Sequence, residues 1–229
     1  MNKVTIIAPT YNEADNILEL AKGIREAVPG ASILIVDDNS PDGTAKVAIK
    51  AGCNVIVRRQ DKGLAPSVIC GIGSITDPDT IVVIMDADLS HDPHDIPRLL
   101  QAIDMGYDLV IGSRFVPGGS TPDWSPRRRR LSRIGTTMMG LFTDIKDMNS
   151  GFMAFRRNII DAQEMLPDSW KVLFELYSRG RWKRWTEVPI TFRDRYAGYS
   201  KFNTREMLKG IWHFTKLLTH PVRGGIVED

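Results

Sequence analysis

Ile81-Val82-Val83-Ile84-Met85-Asp86-Ala87-Asp88 decides the fold. Five apolar residues, mostly β-branched, run straight into two acids separated by one small residue. A short continuous apolar run reads as a strand buried on both faces, as in a parallel sheet. The acids stand where that strand ends, and open α/β sheets bind ligands beyond the carboxyl ends of their strands. Side chains i and i+2 of an extended segment point the same way, so Asp86 and Asp88 can converge on one point. Two hard oxygen donors there suit Mg²⁺ or Mn²⁺, which take carboxylates together with substrate phosphates. The competing reading is a pair of solvated turn acids.

The pattern recurs on both sides of this strand. Val4 to Ala8 reads as a strand stopped by Pro9, and Ile33 to Val36, Val55 to Val57 and Leu109 to Ile111 read as three more. Helical stretches lie between them. Ile17, Leu20, Ala21, Ile24 and Val28 share one helical face, a second helix ends at Gly52, and a third runs from about Leu64 to Ile75. Pro93 opens a fourth, carrying Ile96, Leu99, Leu100 and Ile103, which Gly106 closes. This alternation predicts an α/β fold, a mostly parallel sheet with helices on both faces.

Three strands end in polar clusters: Thr10-Tyr11-Asn12-Glu13, Asp37-Asp38 and Asp86-Ala87-Asp88. A parallel sheet brings all three to one edge, a nucleotide-binding layout with acids for ribose or base and acids for a metal. The first strand is followed by neither a G-x-G-x-x-G nor a Walker glycine loop, which tells against hydride transfer and P-loop phosphoryl transfer.

After Phe115 the pattern changes. A Pro- and Gly-containing loop leads to a helix from about Arg127 into the 140s, whose first turn carries Arg127 to Arg130, with Arg133 beyond. Cations are the wrong sign for a helix start, which points to an anionic partner; a solvated basic face is the alternative. Trp170 to Tyr177 reads as a helix, and Val188 to Phe192 as an edge strand because it contains Pro189. Arg193 to Lys201 is polar and cationic, a loop suited to fold over an anionic ligand. A last helix, about Asn203 to Thr219, has a broad apolar face with Met207, Leu208, Ile211, Trp212 and Leu218. It suits either a membrane interface or the domain core.

The 229 residues suffice for one sizeable α/β domain or two small ones. A net charge of +2 argues against a general nucleic-acid binder. Cys53 and Cys70 have no ligand spacing and read as small buried hydrophobes in a reducing compartment. The chain enters a strand almost at once, so no signal peptide is expected. No apolar run approaches the roughly 18 residues that span a bilayer.

The ordered set of motifs resembles the family 2 inverting glycosyltransferases with the GT-A (Rossmann-like) fold. More narrowly, it resembles the dolichyl-phosphate (polyprenyl-phosphate) mannose synthases. The residues carrying the likeness are Pro9-Thr10-Tyr11-Asn12-Glu13, Val36-Asp37-Asp38-Asn39-Ser40-Pro41-Asp42-Gly43-Thr44, and Met85 to His91. They continue with Gly112-Ser113-Arg114-Phe115, Ser150-Gly151-Phe152, and Asp194-Arg195-Tyr196-Ala197-Gly198-Tyr199-Ser200-Lys201. The resemblance implies a single GT-A domain over residues 1–229, with a nucleotide-binding half (1–115), an acceptor-binding half (116–229) and a C-terminal amphipathic helix. It implies that Pro9, Tyr11, Glu13, Asp38 and Ala87 lie on the nucleotide, that Asp86 and Asp88 hold Mg²⁺ or Mn²⁺, and that Arg195 and Lys201 close on the donor phosphates. Arg114, Arg128 and Ser132 are expected on the acceptor phosphate, with Trp124, Arg128 and Ser132 at the family's spacing. Asp88, Arg114 and Arg128 are the expected catalytic residues. His91, next to the acids, reads as structural.

The implied reaction moves mannose from GDP-mannose to dolichyl or polyprenyl phosphate, on the cytoplasmic face of a membrane. Attachment would be peripheral, directly or through a membrane partner subunit. A UDP-glucose-type donor, a sugar nucleotidyltransferase and a non-catalytic lipid-phosphate-binding module are the alternatives. A nucleotidyltransferase usually has a glycine-rich loop after its first strand, and Pro9 to Glu13 is not one.

Overall fold

A computed structural model describes residues 3–139, 143–166 and 172–194. The strands are β1 (Val4–Thr10), β2 (Ser32–Asp37), β3 (Asn54–Val57), β4 (Ile81–Ile84), β5 (Leu109–Ser113), β6 (Met153–Arg156) and β7 (Trp185–Pro189). They form one seven-stranded sheet in the order β3-β2-β1-β4-β6-β5-β7. β6 runs antiparallel to both its neighbours, and the remaining pairs are parallel. The helices are α1 (Ile17–Ala27), α2 (Thr44–Lys50), α3 (Leu64–Ser74), α4 (Ile96–Asp104), α5 (Pro126–Met139) and α6 (Val172–Arg179).

Alternation along the strands divides the core in two. Ile6, Ala8, Ile33, Ile35 and Val83 meet Leu20 and Ile24 of α1 and Leu99 and Ile103 of α4. Ile7, Leu34, Val36, Val82 and Ile84 meet Val68 and Ile72 of α3 and Leu173 and Leu176 of α6. Strand β4 is buried on both faces, none of its side chains more than 3% exposed. A one-residue slip of β4 would send each of these side chains into the opposite core, against neighbours it does not fit. The register that brings Asp86 and Asp88 to the sheet edge is therefore firmly set.

Three expectations need correction. Pro9 does not stop β1, which continues to Thr10. Pro9 has no N–H to give, and none is missed, because β4 pairs with β1 only over Val4 to Ile7. The last strand is Trp185–Pro189 rather than Val188 to Phe192, and it does lie at a sheet edge. Beyond Pro189, Thr191 and Phe192 make only isolated bridges, to Ser120 and His91. Cys53 and Cys70 are only partly buried, and both are free thiols. The expected helix near 203–219 lies outside the described residues, as do Trp170, Arg195 and Lys201.

Backbone strain is concentrated at one end of the sheet. Among the described residues, the non-glycine positions with positive φ are Asn12, Asn39, Asp61 and Leu89. They lie in the loops leaving the carboxyl ends of β1, β2, β3 and β4 in turn. Asn and Asp tolerate the left-handed region, whereas Leu89 pays roughly 1–2 kcal/mol for it. Strain of this kind gathers at functional sites.

Close packing also fixes α3 on the sheet. A Cβ added at Gly71 would lie 2.8 Å from Ile7 Cγ2 and 3.2 Å from Val36 Cγ2. Gly71→Ala should therefore cost about 1–3 kcal/mol through overpacking, read as a lower urea midpoint. An unchanged midpoint would show that α3 can shift without penalty.

Candidate functional site

Strand β4 ends in a tight turn built around its two acids. The Asp86 N–H donates to His91 Nδ1 at 3.2 Å. His91 is buried, and burial pushes its pKa down, with the Asp86 and Asp88 carboxylates opposing that shift. A neutral ring that accepts at Nδ1 carries its proton on Nε2. The Ser90 N–H and hydroxyl both donate to Asp88 Oδ1, at 3.1 and 2.5 Å. Asp88 is thus buried and anchored, while the Asp86 side chain is 37% exposed. A Cβ at Gly151 would lie 3.3 Å from both Asp86 oxygens, so glycine leaves that side of the carboxylate uncrowded. Ala87, between the acids, belongs to the core.

These residues fit a hard divalent cation. Among the described residues no cluster of three or more His, Cys, Asp and Glu could hold a metal by itself. A two-carboxylate set completed by phosphate oxygens and water is the Mg²⁺ and Mn²⁺ pattern rather than that of a closed protein cage.

The edge beside this turn is cross-tied. Asn12, Glu13 and Ala14 donate their N–H groups to Ser40 Oγ, Thr44 Oγ1 and Asp42 Oδ2 at 2.9, 3.0 and 3.1 Å. Burial would raise the Asp42 pKa, but hydrogen bonds from Thr44 and Ala14 outweigh it and hold the carboxyl below its usual range. Asp37 accepts from the Thr10 hydroxyl at 2.9 Å and from Ser40. Sheet order sets β2, β1 and β4 side by side, so Pro9, Tyr11, Glu13 and Asp38 come to the same edge as Asp86 and Asp88.

Asp38 also has a local structural task. Its carboxylate accepts from Arg58 and the Ser67 hydroxyl, each at 2.7 Å, and from the Gly63 N–H at 2.6 Å. Arg58 also donates to the Gln60 and Asp61 carbonyls. The pair therefore shapes the loop between β3 and α3, whose Lys62 ammonium lies 5.5 Å from the Tyr11 ring centre. Nothing in the sequence marked Arg58, the first of two adjacent arginines at a strand end.

The two expected acceptor arginines stand in contrasting surroundings. Arg114 Nε and one terminal nitrogen each donate to Asp147 at 2.7 Å, and the Arg114 N–H reaches the same carboxylate at 2.9 Å. These side chains are 8% and 0% exposed. Phe115, Trp124 and Phe192 surround the guanidinium at 5.2–5.3 Å. Arg128 lies 4.4 Å from the Trp124 ring centre and makes one 2.6 Å bond to Asp194, with both side chains half exposed. Its N–H faces the Ser125 hydroxyl at the start of α5. Arg129 is drawn aside onto Thr121. Ser132 is half buried one turn further along α5, where its carbonyl accepts from Thr136.

Phe192 joins the two regions. Its ring centre is 5.1 Å from that of His91 and 5.6 Å from that of Trp124. The Arg193 N–H, next in sequence, donates to the Ser90 carbonyl at 3.0 Å. The Asp86–Asp88 turn and the arginine patch thus share one aromatic wall. Neither Asp147 nor Phe192 was singled out from the sequence, because their partners are distant in the chain and no spacing signals them.

Truncating one partner of the Arg114–Asp147 pair strands a buried charge. Asp147→Ala should cost about 3–5 kcal/mol in urea unfolding. The double replacement Arg114→Met, Asp147→Leu should recover much of that. A double variant no more stable than Asp147→Ala would show that backbone contacts to Asp147, not the charge pair, carry the stabilisation.

Known proteins place this geometry in a family. The pattern of glycosyl transferase family 2 matches residues 5–163. The chain is 38% identical over 227 residues to a dolichol-phosphate mannosyltransferase of Pyrococcus furiosus, covering 94% of this chain and 64% of that protein. It therefore spans less than two thirds of that relative's length. It is 35% identical over 229 residues to a polyprenol monophosphomannose synthase of Mycolicibacterium smegmatis (90% of this chain, 84% of that protein). An undecaprenyl-phosphate mannosyltransferase of Micrococcus luteus is 36% identical over 216 residues (88% of each). Among solved structures, glucosyl-3-phosphoglycerate synthase of Mycobacterium tuberculosis, crystallised with Mn²⁺, UDP-glucose and phosphoglyceric acid, superposes with a TM-score of 0.67 at 17% identity (95% of this chain, 79% of that chain). Mannosyl-3-phosphoglycerate synthase of Rubrobacter xylanophilus gives 0.68 at 16% identity (100% and 77%). These structures share the fold, so the expected GT-A architecture is the one observed. The chain belongs to glycosyl transferase family 2.

Proposed function

We propose that this chain transfers mannose from GDP-mannose to a polyprenyl phosphate with inversion, in a reaction that uses Mg²⁺ or Mn²⁺. The observation that carries the reading is the shared Phe192 wall, which sets a two-carboxylate metal turn beside an arginine patch suited to a phosphate. The names of the three relatives, all polyprenyl- or dolichol-phosphate mannosyl enzymes, support it.

The nucleotide lies along the edge formed by Pro9, Tyr11 and Glu13, with Asp38 fixing the neighbouring loop. Asp86 and Asp88 hold the ion, which when bound neutralises the charge that grows on the departing diphosphate. Arg195 and Lys201 add positive charge to the same group. A phosphate monoester, with a second pKa of about 6, is mostly dianionic near neutral pH, so its oxygen attacks without a general base. Arg128 and Ser132 orient that phosphate. Arg114, tied to Asp147, keeps Trp124 and Phe192 in place around it. A single in-line displacement inverts the sugar carbon.

Among the described residues no helix is long and apolar enough to cross a membrane. Peripheral attachment to the cytoplasmic face is proposed instead, through Arg127, Arg130 and Arg133 with the 203–219 segment, or through a membrane partner subunit.

The full chain should form a mannosyl lipid from GDP-mannose, undecaprenyl phosphate vesicles and Mg²⁺ or Mn²⁺, and should ignore UDP-glucose. Product from UDP-glucose alone would overturn the donor assignment. Asp88→Asn, which keeps an oxygen for the two Ser90 bonds but removes the charge, should abolish transfer while leaving Tm nearly unchanged; near-normal turnover would remove the metal site from the mechanism.

A charge-assisted contact to phosphate is worth about 1.5–3 kcal/mol. Arg128→Ala should therefore raise the acceptor KM roughly 10- to 100-fold, with GDP affinity intact. Lysine at 128 should restore only part, because it lacks the two-pronged fork. Loss of GDP binding with acceptor KM unchanged would assign the patch to the donor.

A further inference from the structure

Each of the two arginines expected at the acceptor already has an aspartate. Asp147 holds Arg114 through two side-chain bonds in a nearly closed environment. An incoming anion does not exchange with a buried, bidentate partner. Asp194 holds Arg128 through one bond at 2.6 Å, with both side chains 50% exposed. Exposed single-bond pairs are weak and screened by salt, so this contact is open to exchange.

The Asp194 contact is nevertheless built rather than incidental. The Asp194 N–H donates to Asp123 Oδ2 at 3.0 Å, and the Arg193 N–H donates to the Ser90 carbonyl at 3.0 Å. Two backbone ties thus deliver the carboxylate to Arg128, one of them from the turn that carries Asp88. Meanwhile the Trp124 ring fixes the guanidinium. Carboxylate and phosphate oxygens approach a guanidinium in the same manner.

We infer that Asp194 holds the acceptor-phosphate position on Arg128 and is displaced when the acceptor binds; this rests on the acceptor role proposed for Arg128. The carboxylate keeps the arginine neutralised and oriented over Trp124 in the absence of lipid phosphate. It imposes the same exchange cost on every anion. A phosphate monoester dianion, with more charge and three oxygens, meets that cost more readily than a singly charged anion does. Asp194 is a positioning residue in this scheme, since it acts through Arg128.

Calorimetry on the full chain with geranyl phosphate, a soluble isoprenyl monophosphate, tests the exchange. Asp194→Asn should tighten geranyl phosphate about two- to fivefold, the range expected when a weak exposed pair no longer competes. Arg128→Ala should loosen it, and adding Asp194→Asn to Arg128→Ala should change nothing further. A purely structural Asp194 would not give that non-additivity. If Asp194→Asn left the Kd unchanged or raised it while Arg128→Ala still loosened binding, the exchange would be refuted and the acceptor role of Arg128 would stand. A gain that persisted without Arg128 would refute it too, as a general effect of charge. If Arg128→Ala left binding untouched, the acceptor role itself would fail, and the exchange with it.

Discussion

The ion pair between Arg114 and Asp147 is the interaction on which the second half of the site depends. Two full charges sit where water barely reaches, a placement whose desolvation amounts to several kcal/mol per ion. Geometry offsets it. The carboxylate receives three N–H groups of Arg114, and its own backbone N–H is taken by Glu187 of β7. The guanidinium faces receive three aromatic rings. One contact therefore ties the end of β5 to the 147 loop and the 124 loop to the segment after β7. Trp124, and through it Arg128, stand where they do because Arg114 has nowhere else to go.

The opposite end of the site is organised by carboxylates that accept backbone N–H groups, with the largely buried Arg58–Asp38 pair beside them. Asp37, Asp42 and Asp88 each accept N–H groups within their own turns. These bonds hold the loop residues in left-handed conformations that the chain would otherwise avoid. Leu89 is the clearest case, since the bonds from Ser90 to Asp88 and from Asp86 to His91 fix the backbone on either side of it. Loops that bind ligands on rigid strands are commonly pre-shaped in this way.

Much of this was legible in the sequence. Short continuous apolar runs marked β1 to β5, and helical spacing together with glycine and proline signals marked α1 to α4. The acids after β4 were legible because a buried strand fixes where its last residue must emerge. Pro9 misled because proline's missing N–H matters only beside a neighbouring strand, and sequence does not show where that neighbour ends. The antiparallel direction of β6 left no mark, since Met153 to Arg156 looks the same read either way. Asp147 and Phe192 were silent for another reason: an acid or a ring in a loop has meaning only once its distant partner is known.

The position of β6 also bears on how the chain reaches this state as it is made. Strand β5 pairs only with β6 and β7, which both come later in the sequence. On the other side, β4 is bonded to β1 but waits for β6 along its second edge. A ribosome adding about 5–20 residues each second would leave β4's apolar edge open for seconds before Met153 to Arg156 arrive. An open, apolar edge is a template for pairing with other chains. The central strand that ends in Asp86 and Asp88 thus offers, for that interval, an unpaired edge on which other chains could add.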